Sequence, residues 1–133
     1  MEMLINIDVD DLEKGVAFYR DALGLRLERR LFNGTVAEMS GASSKIHLLE
    51  NPAGSAATQA NTLRSYQRHW TPVHIDFEVE DVEQAVKRAA AAGAILEGEI
   101  RSFNWGRLAT LSDPFGHGFC LIELVGRGYD EVA

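Results

Sequence analysis

The stretch MLINIDVDDLEKGVAFYRDALG, residues 3–24, is the most informative part of the sequence, because residues 73–93, VHIDFEVEDVEQAVKRAAAAG, repeat its pattern. Each stretch begins with alternating apolar and polar residues, which is typical of a strand with one buried face. Each continues with apolar residues at helical spacing and ends at a glycine, which favours a helix stop. Asp11 and Asp81 lie at the matching helix starts, about 70 residues apart. The sequence therefore predicts an internal duplication.

Three strand-like segments follow each predicted helix: residues 25–31, 35–40 and 44–50 in the first half, and residues 95–101, 107–112 and 118–125 in the second. This order predicts one βαβββ module over residues 3–50 and another over residues 72–125. Residues 51–71 between them are polar and aperiodic, and we interpret them as a linker or a pocket cover. With a tail at residues 126–133, we expect a single α+β domain over residues 1–133.

The composition excludes several classes of function. The chain has 13 Lys and Arg against 20 Asp and Glu, a formal net charge of −7. An acidic chain without a basic run repels phosphate backbones, so we expect no nucleic-acid partner. A single cysteine, Cys120, cannot form an internal disulfide or a multi-cysteine zinc site. With no signal-peptide pattern and no apolar run near the roughly 20 residues of a membrane span, we expect a cytoplasmic protein outside the membrane.

Three motifs resemble those of a known superfamily: VDDLEKGVAFYRDALGL at residues 9–25, VHIDFEVEDVEQAV at residues 73–86 and WGRLATLSDPFGHGFCLIE at residues 105–123. On these motifs the chain is identified as a divergent glyoxalase-like member of the vicinal oxygen chelate superfamily. That superfamily groups glyoxalases, bleomycin-resistance proteins and extradiol dioxygenases. The resemblance covers residues 3–125. It implies two tandem modules whose curved mixed sheet surrounds a pocket, with the helices outside, and it implies a homodimer with a small-molecule ligand.

The resemblance also implies a site at four inward-facing positions, which hold a divalent ion in metal-dependent relatives and are occupied here by Leu4, His47, His74 and Cys120. A leucine cannot ligate a metal, and a thiol ligates only as a thiolate. His47 and His74 are therefore candidate ligands of Zn, Ni, Mn or Fe, completed by Cys120 or by a carboxylate such as Asp76, Glu78 or Asp8. Equally, no ion binds, and the two histidines are the catalytic acid and base, since an unperturbed histidine has a pKa near 6.5.

Five residues are candidates for substrate binding: Asn6, Asp76, Trp105, Arg107 and Cys120. Asn6 and Asp76 occupy matching inward positions and can orient a polar ligand. Trp105 precedes a strand and is either a stacking wall or an ordinary packed aromatic residue. Arg107 either holds an anionic substrate or forms a surface ion pair. Cys120 is either a pocket contact or a small buried apolar residue.

Two functions of different classes agree with these residues. The first is a glyoxalase-like lyase or isomerase of a small oxygen-rich molecule, supported by polar inward faces that a purely structural core would avoid. The second is a non-catalytic small-molecule or drug-binding protein of the bleomycin-resistance type, supported by Leu4 and Cys120 at ligand positions. A strict glyoxalase and an extradiol dioxygenase are not expected, because their ligand sets are incomplete here. Glu123 is excluded as a ligand, since three residues along a strand from Cys120 it faces the opposite side.

Overall fold

In the computed structural model, which describes residues 1–133, each repeat forms a mixed sheet with one helix against one of its faces. The chain divides into a first unit, residues 1–67, and a second unit, residues 68–133. The predicted α+β class is confirmed. Neither helix is long and apolar enough to span a bilayer.

The first unit contains one helix and four strands, namely β1 (Leu4–Val9), α1 (Leu12–Leu23), β2 (Arg26–Leu31), β3 (Val36–Ser40) and β4 (Lys45–Glu50). The strand order is β1-β4-β3-β2. Strand β1 runs parallel to β4, and the other pairs are antiparallel. A short 3-10 turn, Phe32–Gly34, joins β2 to β3 where the sequence has Asn-Gly.

The second unit contains one helix and five strands, namely β5 (Ile75–Glu78), α2 (Val82–Ala91), β6 (Ile95–Leu96), β7 (Arg101–Ser102), β8 (Gly106–Ser112) and β9 (Gly118–Leu124). The main strand order is β5-β9-β8-β6, and β7 also pairs with β8. Strand β5 runs parallel to β9. The single strand predicted over residues 95–101 is wrong, because the chain leaves the ladder at Gly98, whose φ of 82° lies in the left-handed region.

The helices begin where the paired aspartates predict. Asp11 caps α1 by accepting a hydrogen bond from the Lys14 N–H at 3.0 Å, and Asp81 caps α2 by accepting one from Gln84 at 3.1 Å. An aspartate at this position satisfies a backbone donor that has no partner within the helix. Helix α1 ends at Gly24, whose φ of 70° suits a left-handed cap.

A second carboxylate ties each helix start to the last strand of its sheet. Glu50, at the end of β4, accepts the Leu12 N–H at 2.8 Å, and Glu123, near the end of β9, accepts the Val82 N–H at 2.9 Å. Both helices thus place the positive end of their dipole against a glutamate. The prediction that Glu123 faces away from the neighbouring Cys120 side of the strand is confirmed.

The apolar core of each unit lies between its helix and its sheet. In the first unit it includes Leu12, Val16, Tyr19, Met39, Ile46 and Leu48, and in the second Val82, Val86, Ala89, Ala109, Leu111 and Leu121. Each fully buried large aliphatic side chain stabilises the fold by about 1.5–3 kcal/mol. The strand residues of this core lie on the helix-covered face of each sheet, so candidate residues such as His47 and Asp76 lie on the opposite face.

Residues 51–67 are fastened to the end of β1. The Arg64 guanidinium donates to the Asp8 carboxylate at 2.8 Å, and the Tyr66 hydroxyl donates to the Asn51 carbonyl at 2.6 Å. Burial, with the negative charge of Asp8, raises the pKa of Tyr66 to about 12. Residues 51–67 therefore belong to the first unit, and Asp8 already has a cationic partner.

The Glu38 carboxylate contacts three basic side chains on the face of the first sheet opposite α1. The carboxylate, 3% exposed, accepts hydrogen bonds from Arg29 at 3.0 and 3.2 Å and from Lys45 at 3.0 Å. His47 Nε2 lies 3.0 Å from its second oxygen. These hydrogen bonds, that of Arg29 first, lower the pKa of Glu38 to about 2.

Glu50→Ala tests the tie between strand and helix. The Leu12 N–H would lose its acceptor and the positive end of α1 its nearby carboxylate, so we expect the free energy of unfolding to fall by about 1 kcal/mol. A urea titration measures the change. Glu99→Ala removes an exposed glutamate outside both helices and should cost less than about 0.5 kcal/mol. Equal stability of the two variants would contradict the tie.

Glu38→Gln tests the ionised state of Glu38. Because its folded pKa is lowered from 4.5 to about 2, its stabilising contribution is complete above about pH 4.5 and is lost as the pH falls toward 2. We expect the melting temperature of the wild type to fall over this window more steeply than that of the variant. Glu28→Gln, at an exposed position of β2, should keep the wild-type slope. Identical slopes for wild type and Glu38→Gln would contradict the assignment.

Candidate functional site

The face of the second sheet opposite α2 carries the candidate site. In the register, Asp76 on β5 and Thr110 on β8 both lie directly opposite Cys120 on β9. Residues opposite each other in neighbouring strands point to the same side of a sheet. We call this side, which carries Asp76, Thr110 and Cys120, the site face.

Three predicted site residues converge on the site face. One donor atom each of His74, Asp76 and Cys120 lies within 4.8 Å of the other two. His74 Nε2 lies 3.1 Å from Asp76 Oδ1, and these two side chains are 35% and 39% exposed. Cys120 is only 4% exposed. The group therefore has two accessible polar members above one buried thiol.

The Cys120 thiol is held in its neutral form. Burial raises the pKa of this thiol, and the Asp76 carboxylate raises it further. The Thr110 hydroxyl, 3.7 Å from Sγ, and the positive charge of Arg101 act in the opposite direction without reversing the shift. A neutral thiol is a weak nucleophile, and it must lose its proton before it binds a metal.

Trp70 covers one side of His74. The two ring centroids are 4.5 Å apart with an angle of 35° between the ring planes. The indole packs directly on Gly118, where a Cβ atom would collide with it, and the Arg68 guanidinium lies 5.9 Å from the indole centroid. The absence of a side chain at Gly118 is thus what allows the indole to lie here.

A histidine pair holds the segment that carries Trp70. His69 Nε2 lies 2.6 Å from His117 Nδ1, and the His69 N–H donates to the Gly116 carbonyl at 2.9 Å. Burial lowers the pKa of His69, and the neighbouring His117 and Arg68 lower it further. These contacts fasten the segment beside the start of β9.

Arg101 also lies on the site face. It is opposite Leu108 in the pairing of β7 with β8, and Leu108 is two residues from Thr110 on the same strand. Side chains two residues apart on a strand share a face. The sequence does not predict which face of the sheet Arg101 occupies. The irregular residues around Gly98 interrupt the alternation of faces between residues 95 and 101.

An aromatic column, defined by Phe103, Trp105 and Tyr129, continues from Arg101. Phe103 and Trp105 stack with centroids 4.9 Å apart and an interplanar angle of 4°. Tyr129 lies 5.3 Å from Trp105, and the Arg101 guanidinium lies 5.7 Å from the Phe103 centroid. Trp105 is therefore packed between two rings.

Arg107 lies on the other side of the sheet. Its guanidinium donates to Glu83 of α2 at 2.6 Å and lies 3.9 Å from Glu123. Arg107 therefore forms an ion pair, the second of the two roles considered for it from the sequence. Arg107 pairs with Ser102, one residue along from the Arg101–Leu108 pair, so its side chain points to the helix-covered face.

The first unit carries the other two predicted residues. Asn6 on β1 lies opposite His47 on β4, so the two share a face. His47 Nε2 contacts the buried carboxylate of Glu38, which leaves Nδ1 as its second ring nitrogen. Sequence reasoning missed Glu38, although counting outward from the turn at residues 41–44 pairs it with His47.

The donors of His74, Asp76 and Cys120 suit a divalent ion of borderline softness. Imidazole and carboxylate bind Zn, Ni, Mn and Fe(II), and a thiolate is a ligand that Zn accepts readily. The side chains of His74 and Asp76 are 35% and 39% exposed, so an ion can reach both. Cys120 can join them only as a thiolate.

Comparison with known proteins gives relatives in sequence. A family model described as "Glyoxalase-like domain" matches residues 4–122. The chain is 27% identical over 120 residues to anthracycline biosynthesis protein DauV of Streptomyces sp. (strain C5). That match covers 90% of this chain and 40% of DauV, so the chain spans less than half the length of this relative.

Solved structures share the fold. A glyoxalase/bleomycin resistance protein/dioxygenase family enzyme from Burkholderia phytofirmans PsJN aligns with a TM-score of 0.74 and 21% identity, covering 92% of this chain and 97% of its own. TnmS3, an antibiotic binding protein from Streptomyces sp. CB03234, aligns with a TM-score of 0.65 and 23% identity, covering 93% and 95%. The family model spans nearly the whole chain, and the protein therefore belongs to the glyoxalase-like domain family, within the vicinal oxygen chelate superfamily.

Proposed function

We propose that this protein is a glyoxalase-like lyase or isomerase that acts on a small oxygen-rich molecule at the site face. The observation that carries the proposal is the convergence of His74, Asp76 and Cys120. The helix-covered face of the same sheet buries apolar residues such as Leu111 and Leu121. The site face instead presents two partly exposed polar side chains, His74 and Asp76, which a ligand or an ion can reach.

A divalent ion at this group is part of the proposal. His74, Asp76 and, once deprotonated, Cys120 would hold it, with Zn, Ni, Mn and Fe as the candidates. The chemistry supplied by such an ion is Lewis-acid stabilisation of negative charge on a substrate oxygen. The binding of the ion would also favour loss of the Cys120 proton.

The same residues can move a proton without an ion. The 3.1 Å contact between His74 Nε2 and Asp76 lets the carboxylate accept the Nε2–H, which leaves Nδ1 as the base. Asp76 then orients the imidazole and stabilises it when it is protonated. Trp70 shields one side of the ring from water. In the first unit, Glu38 can orient His47 in the same way.

The proposal assigns the remaining predicted residues to ligand contacts or to the scaffold. We retain His47 as a second catalytic or metal-binding candidate, and Asn6 and Trp105 as substrate contacts. Arg107 has no role in the proposed chemistry, because its guanidinium is paired with Glu83. From the resemblance we also propose a cytoplasmic homodimer, which light scattering of the purified protein and cell fractionation would test.

The second candidate function is binding without chemistry. It is supported by the neutral Cys120 thiol and by Leu4, which cannot ligate a metal at a position where relatives carry a ligand. The names of DauV and TnmS3 suggest an anthracycline or another antibiotic as the ligand class. Mass spectrometry separates the two functions, since an enzyme converts the bound molecule and a binding protein returns it unchanged.

Asp76→Asn tests the metal group. At a zinc concentration about 100 times Kd, we expect zinc to stabilise the wild type by about 2.7 kcal/mol, seen as a rise in melting temperature. Most of the rise should disappear in Asp76→Asn, which replaces the anionic carboxylate by a neutral amide, and in His74→Ala, which removes the imidazole ligand. Differential scanning fluorimetry with and without zinc measures the effect.

Glu78→Gln is the matched control for Asp76→Asn. Glu78, which the sequence offers as another candidate ligand, is an exposed carboxylate on the same face of β5, two residues away, and lies outside the group formed by His74, Asp76 and Cys120. It should keep the full zinc response. An equal response in all variants would contradict the assigned ligands. No response in the wild type would contradict the ion and favour the binding function.

A further inference from the structure

The site face contains a cation without an anionic partner. Two arginines lie in the β7–β8 hairpin. Arg107 forms an ion pair with Glu83. Arg101 forms no ion pair and no hydrogen bond with another residue of the second unit. The chain as a whole carries a net charge of −7. An unpaired guanidinium on such a protein is a local attractor for anions.

The strand register places Arg101 on the same sheet face as the group formed by His74, Asp76 and Cys120. Arg101 lies opposite Leu108, Leu108 shares its face with Thr110, and Thr110 lies opposite Cys120. The hairpin continues this pairing, since the Phe103 N–H donates to the Gly106 carbonyl at 2.8 Å. A ligand held at Arg101 would therefore lie on the same face as the proposed chemistry.

An aromatic surface adjoins the cation. Phe103 is 40% exposed, and its ring lies 5.7 Å from the Arg101 guanidinium. Trp105 stacks parallel to Phe103, and Tyr129 packs on Trp105. The stacked rings hold Phe103 in one orientation, so a ligand ring can pack on it at low entropic cost.

We propose that Arg101 and Phe103 form a ligand subsite for a planar aromatic ring that bears an anionic oxygen, either a carboxylate or a phenolate. The Arg101 fork would donate two N–H groups to the two oxygens of a carboxylate or to the one oxygen of a phenolate, and the ligand ring would pack beside Phe103. The inference rests on the proposed function, because it names the ligand class of the same face. Trp105, retained above as a substrate contact, also braces Phe103 by stacking on it.

The test compares two fragments of the same shape, the anionic 2-naphthoate and the neutral 2-naphthamide, by isothermal titration calorimetry. The wild type should prefer naphthoate. Arg101→Gln should weaken naphthoate binding by about tenfold, the loss of a charge-assisted contact at an accessible position, and change naphthamide binding by less than about twofold. Phe103→Leu should weaken both fragments.

Arg107→Gln is the matched control, since it removes an arginine from the same hairpin on the opposite face. It should leave the affinities for both fragments unchanged. Melting temperatures of the two arginine variants check that each is folded. Naphthoate binding that is equal in wild type and Arg101→Gln would overturn the subsite, and so would a wild type that does not bind naphthoate.

The zinc response separates this inference from the proposed function. Arg101→Gln should keep the zinc-induced rise in melting temperature, because it leaves His74, Asp76 and Cys120 in place. Naphthoate binding that depends on Arg101 in a protein without a zinc response would support the subsite and contradict the ion alone. A normal zinc response without Arg101-dependent binding would overturn the subsite alone.

Discussion

The parallel pairing of the first strand of each repeat with its last strand is the constraint on which the candidate site depends. It places Asn6 beside His47 in the first sheet and Asp76 beside Cys120 in the second. Residues far apart in sequence thus share one sheet face. Glu50 and Glu123 secure the arrangement from the opposite side, because each joins the last strand of its sheet to a helix start.

The two repeats differ in the charge state of the buried residue on the face opposite the helix. In the first unit, hydrogen bonds from Arg29, Lys45 and His47 keep the buried Glu38 carboxylate ionised and its pKa low. In the second unit, burial and a neighbouring carboxylate raise the pKa of the Cys120 thiol and keep it neutral. The first sheet therefore buries a compensated charge, whereas the second buries a neutral thiol beside two accessible polar side chains, His74 and Asp76.

Local patterns in the sequence were sufficient for the fold and for part of the site. Alternation along a strand correctly separated Glu123 from Cys120, and helix-capping patterns located Asp11 and Asp81. Residues that depend on cross-strand register were harder to predict. Arg101 was overlooked because the irregular segment around Gly98 breaks the count, and its neighbour Arg107 faces the helix instead.

Glu38 shows the same limit in the first unit. Its role depends on lying opposite His47 and on side chains from two other positions, which no pattern within its own strand indicates. Hydrophobic alternation predicts which side of a strand faces the helix. The partners of a buried carboxylate depend on register and side-chain reach, which only the assembled sheet determines.

Anomalous diffraction at the zinc absorption edge, from crystals grown with zinc, would show whether the site face binds an ion. We expect a zinc peak within bonding distance of His74 and Asp76 in the second unit, with Cys120 as the third ligand. A peak at the His69–His117 pair with none at His74 would contradict this expectation, and so would a map without zinc at either place.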